Sequence, residues 1–164
     1  MEISPTRYQK IKSTIANCKT LFRTTDPFKI CELLGFKVYS VKLGSNLHGF
    51  ADVKQTLASS INQRKEKLYT VKANIYLSDS LDSYSKKIVC AHELGHVLLQ
   101  YKEELNLFES TNETKDIKEY EANLFAIELL PQIYNNFSID YHDLNKEEMQ
   151  AFMNKKISHI IYSL

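Results

Sequence analysis

The chain has 164 residues, with 21 Lys and Arg against 20 Asp and Glu, a formal net charge of +1, 43% hydrophobic residues and 25% charged ones. That composition excludes a disordered chain, and the near-zero charge excludes a strong sequence-independent hold on nucleic acid or on an anionic membrane surface. The length suits a single domain over residues 1–164, expected to be α+β: N-terminal helices within 4–34, a small sheet within 36–78, two helices within 82–130 and a helical tail within 131–164.

The first helix is signalled by Ser4 as cap, Pro5 at the first helical position, and Tyr8, Ile11, Ile15 and Cys18 at helical spacing. Asp26 and Pro27 open a short second helix that Gly35 closes. Phe36 to Val41 then alternates as a strand does, Gly44-Ser45-Asn46 turns, and Leu47 to Val53 alternates again. A third strand is expected over Thr56 to Asn62, a charged turn over Gln63 to Lys67, and a last strand over Lys72 to Leu77. The connections are too short for crossover helices, so the sheet is expected to be mainly antiparallel. From Asp82 to Lys102 the pattern is helical with a broad apolar face, and Glu103 to Asp116 is a polar connection. Ile117 to Leu130 is helical up to Pro131. Asn145 and Glu148 have the spacing of a capping box, and Ile157 to Leu164 is amphipathic.

Three cysteines without C-x-x-C spacing, Cys18, Cys31 and Cys90, point away from a disulfide framework, and Cys90 reads as a small buried hydrophobe. No basic region followed by an apolar run opens the chain, and no apolar run approaches a membrane span. A cytoplasmic protein is the expectation.

Chemistry concentrates in His92-Glu93-Leu94-Gly95-His96, an H-E-x-x-H motif. On a helix, imidazoles at i and i+4 leave one face together and can hold one Zn2+ ion. Glu93, one step round, can act as general base without occupying a coordination position. Apolar residues on both sides of the motif imply a core helix, where a His-Glu-His cluster without a metal would be costly to bury. A third ligand is needed. Leu99 and Lys102 stand where a metzincin continues with Gly and His, which excludes that class. Glu119 shares a face with Ala122, Asn123, Ala126 and Leu130, mostly small residues that allow close helix packing, and is the favoured ligand. Glu121, on the face of Leu124, Phe125 and Glu128, is the alternative. Asn123 could orient a ligand histidine. A donor for a tetrahedral intermediate could come from His48, Tyr101, Tyr120, Tyr134 or His142, which sequence alone does not rank. Asn74 to Leu77, just before the H-E-x-x-H helix, is expected to form a sheet edge able to bind an extended peptide.

The segment A-H-E-L-G-H followed by E-x-E-A-N-x-F-A-x-E-L-L-P resembles the ImmA/IrrE family of metallo-endopeptidases, although the methionine that commonly precedes the final proline is missing before Pro131. The resemblance implies a zincin-like fold: a small sheet packed on the H-E-x-x-H helix and on a second ligand-bearing helix. It also implies His92, His96 and Glu119 as zinc ligands and Glu93 as base. The expected activity is hydrolysis of a protein substrate, a helix-turn-helix repressor of a mobile element or stress regulon supplied as a separate polypeptide. No direct nucleic-acid or membrane partner is expected, and the oligomeric state is open. The alternative is a zinc-binding module that inactivates a repressor by binding alone.

Overall fold

A computed structural model describes residues 4–61, 67–100, 112–130, 144–145, 147–149 and 151–152. Helix α1 runs over Pro5–Phe22. The Ser4 hydroxyl accepts from Arg7 N at 3.3 Å, and Ile11, Ile15 and Cys18 form the buried stripe. Helix α2, Pro27–Leu34, begins with the Asp26 carboxylate accepting from Phe28 N at 3.1 Å. It ends at Gly35, whose φ of 74° is the left-handed conformation a helix stop favours; Phe36 N closes the turn on Cys31 O at 2.8 Å.

Strands β1 (Lys37–Val41), β2 (Gly49–Ile61) and β3 (Lys67–Ser78) form one sheet in the order β1-β3-β2. Two expectations change here and one is refined. First, the strands expected over 47–53 and 56–62 are one continuous strand. Lys54 and Gln55, which interrupt the apolar alternation, stay extended and pair with Lys72 and Val71. The expected turn over 63–67 falls mostly outside the described residues, and Lys67 belongs to β3. Second, the sheet is mainly antiparallel as expected, with one parallel pairing that makes it mixed. β2 pairs with β3 antiparallel along most of its length, but β1 pairs with β3 in parallel. No crossover helix is needed, because β2 itself carries the chain out and β3 returns between the two earlier strands. Third, Asn74 to Leu77 lies in the central strand and is paired on both sides, so it is not an edge; the edges are β1 and β2.

One face of the sheet, with Ala73, Ile75 and Leu77 buried, meets the helices. The other carries a cross-strand aromatic row, with Tyr76 stacked between Tyr39 at 5.3 Å and Phe50 at 4.7 Å.

Helix α3, Ser83–Gln100, starts where the Asp82 carboxylate accepts from Ser85 N at 2.7 Å. Its residues Ile88, Val89, Cys90, Ala91, Leu94, Val97 and Leu99 are all buried, as expected of a helix surrounded by its neighbours. Cys18, Cys31 and Cys90 are buried free thiols.

Helix α4, Asn112–Leu129, begins five residues before the expected start at Ile117. Glu113, Lys115 and Asp116 are polar and carry no apolar period, yet Lys and Glu are good helix formers and support the extra first turn. The predicted capping box is present: Glu148 N donates to Asn145 Oδ1 at 3.0 Å and Asn145 N to Glu148 Oε2 at 2.9 Å. The expected amphipathic stretch 157–164 lies outside the described residues. No described helix is long and apolar enough to cross a membrane.

Helices α3 and α4 cross at Gly95. A Cβ there would stand 3.1 Å from Phe125 Cβ and 3.2 Å from Ala122 Cα, both fixed to the α4 backbone. Relief requires the helices to separate, so Gly95→Ala is expected to lower unfolding free energy by about 1 kcal/mol in urea denaturation. Overpacking at ~1–3 kcal/mol outweighs the ~1 kcal/mol that alanine gains in a helix. Unchanged or higher stability would contradict this close approach.

Candidate metal centre

Helix α3 projects His92 and His96 from one face, one turn apart. Their Nε2 atoms are 3.0 Å from each other and their rings stand at 82°. Glu119 reaches them from α4: Oε2 lies 3.4 Å from His92 Nε2 and Oε1 3.3 Å from His96 Nε2. One donor atom from each of the three residues falls within a 4.8 Å cluster. Nitrogen and oxygen donors held at about 2.1 Å by a tetrahedral ion stand about 3.4 Å apart, so the separations fit a single metal ion with a further position left for water or substrate. The two histidine side chains are 17% and 20% exposed and that of Glu119 50%, which leaves the cluster open on one side.

Charge is distributed to suit such an ion. Hydrogen bonding with His92 and His96 holds the Glu119 carboxyl well below the usual carboxylate range, so its oxygens are available as ionised donors. Glu93 is 7% exposed, and burial pushes its carboxyl up against the opposing pull of His92 and His96. The two neighbouring carboxylates are therefore shifted in opposite directions, Glu119 toward its ionised form and Glu93 toward its neutral one.

Glu121, the alternative third ligand, is elsewhere. It is buried and its Oε1 accepts from Arg7 Nη1 at 2.7 Å. Asn123 is buried one turn beyond Glu119 on α4. Among the candidate donors for a tetrahedral intermediate, Tyr120 donates its hydroxyl to the Leu144 carbonyl at 2.8 Å, fastening the start of the C-terminal segment to α4. His48 is half-buried beside the start of β2, and Tyr101, Tyr134 and His142 lie outside the described residues. Sequence inspection missed Arg7 altogether. A pair separated by 114 positions leaves no local pattern to read.

Residues 48–131, just over half of the chain, match the IrrE N-terminal-like domain of the Peptidase_M78 family. The chain is also similar to an "Uncharacterized immunity region protein 2" of Bacillus phage phi105, 27% identical over 124 residues that make up 75% of this chain and 69% of that protein. No solved structure matches.

Proposed function

Because the chain belongs to the Peptidase_M78 family, we propose that it is a zinc-dependent endopeptidase in which His92, His96 and Glu119 hold the ion and Glu93 is the general base. The observation that carries this reading is the convergence of two imidazoles and one ionised carboxylate beside a second, buried carboxylate of raised proton affinity. Zinc bound by such donors supplies Lewis acidity toward a peptide carbonyl and makes water a better acid.

Glu93 takes the proton of the attacking water. Because burial favours its neutral form, it can keep that proton until the C–N bond breaks and then deliver it to the leaving nitrogen. Glu119, whose carboxyl His92 and His96 hold well below the usual carboxylate range, would hold the ion from α4 while the two histidines would hold it from α3. Among the described residues β1 and β2 are the edge strands, and their outer edges offer backbone donors and acceptors to an extended substrate. β2 is the nearer to the site, since the position of a Cβ on Gly49 lies 2.6 Å from Val89 Cγ1, one turn before His92 on α3.

The proposed substrate is a helix-turn-helix repressor on a separate polypeptide, as the ImmA/IrrE resemblance implies. The immunity-region name of the phage relative agrees with a repressor-linked role, and acting on a repressor requires a cytoplasmic location. A module that only binds its repressor has no use for a buried carboxylate such as Glu93 beside the ligands.

The test is incubation of purified zinc-loaded protein with a repressor encoded beside it. Cleavage that stops with a chelator and returns with zinc is the expected result. Cleavage that persists through metal removal would contradict the reading.

A further inference from the structure

Helix α1 lies outside the segment that matches the family, yet three polar side chains near its start reach the two helices that carry the candidate ligands. Arg7 Nη1 donates to Glu121 Oε1 at 2.7 Å, the Tyr8 hydroxyl to Glu128 Oε1 at 2.7 Å, and Lys10 Nζ to the Leu99 carbonyl at 2.6 Å. Glu121 and Glu128, about two turns apart, share one face of α4. Glu119 is two residues from Glu121 and therefore roughly 200° round the helix. α1 grips α4 on one face while α4 presents Glu119 to His92 and His96 from another.

Resting on the metal site proposed above, we infer that Arg7 is a positioning residue: through Glu121 it sets the rotation of α4 that holds Glu119 against the two histidines. The lever is short. A side chain extends roughly 5–6 Å from the helix axis, so a turn of ~10° moves the Glu119 carboxylate by ~1 Å. Functional geometry tolerates only about 0.5 Å.

The force on the lever is the burial of Glu121, whose side chain is 6% exposed. Without the guanidinium, that carboxylate is a buried charge lacking its ion-pair partner, and rotation of α4 toward solvent relieves it. Lys10 gives the device its second reference point. Its ammonium sits on a carbonyl in the last turn of α3, where the helix dipole favours positive charge, so one helix references both ligand-bearing helices to a common frame.

The test measures zinc affinity by competition with a chromophoric chelator, alongside thermal unfolding of the apo-protein. Arg7→Met is expected to weaken zinc binding about 10-fold, in the range seen for residues that orient ligands, and Arg7→Lys to recover most of the loss. In a Glu119→Ala background, Arg7→Met should add less than about twofold, because its effect passes through that carboxylate. Lys29→Ala, which removes an exposed pair with Glu32 on α2, should leave affinity unchanged.

If Arg7→Met does not fold, Arg7→Gln, which also removes the guanidinium and leaves the Glu121 carboxylate without its ion-pair partner, carries the test with the same expected loss. Wild-type affinity in Arg7→Met, or in Arg7→Gln, overturns the inference while leaving the metal site intact. A wild-type chain that binds no zinc overturns the site itself.

Discussion

Replacing Glu93 with Gln is expected to leave zinc affinity within about threefold of wild type while lowering peptide cleavage at least ~100-fold. Glutamine has the shape of glutamate and occupies the same buried position, so the approach of His92, His96 and Glu119 should survive. What disappears is the proton acceptor. Burial pushes the Glu93 carboxyl up, so its ionised form is disfavoured in the folded chain. The sign for stability follows: as pH rises above the ordinary glutamate range, ionisation of Glu93 opposes folding, and a neutral amide removes that opposition. At neutral pH the metal-free Glu93→Gln variant should therefore be at least as stable as wild type in denaturant titration. A variant that keeps cleaving removes Glu93 as the base. One that loses zinc and cleavage together makes it part of the binding site instead.

Removing the third donor should have a comparably large effect of the opposite kind. Glu119→Ala is expected to weaken zinc binding by more than about 100-fold, beyond the range associated with residues that only orient a ligand. Its carboxylate meets both imidazoles, at 3.4 Å and 3.3 Å, and is held ionised by them; among the described residues no other acid on α4 joins that cluster. Glu121→Ala should be clearly milder, because Glu121 acts on the site through the placement of α4. With the half-exposed Glu119 gone, the cluster among the described residues is reduced to the two donors His92 and His96.

Much of this was legible in the sequence where the signal is local. The Ser4, Asp26 and Gly35 caps and the Asn145–Glu148 box each depend on residues within one turn, and each forms as its spacing predicts. The proximity of His92 and His96 follows from an i, i+4 spacing on a helix whose flanks are apolar. Bringing Glu119 to them needed an argument about faces: small residues at Ala122 and Ala126 suggested close helix approach, and Gly95 against Ala122 supplies it.

What escaped depends on distant partners. Lys54 and Gln55 are poor strand formers, and only their ladder with Lys72 and Val71 keeps β2 unbroken. The parallel pairing of β1 with β3 is a property of strand order, on which the length of the connections is silent. The bonds from Arg7 and Tyr8 to α4 span more than a hundred positions and have no periodic trace.

The central claim is tested most directly by equilibrium dialysis of purified wild-type chain and Glu119→Ala against zinc, with bound metal counted per chain. The account predicts about one zinc per wild-type chain and none retained by the variant at the same free zinc concentration. A wild-type chain that takes up no zinc, or a variant that holds it as tightly, would contradict it.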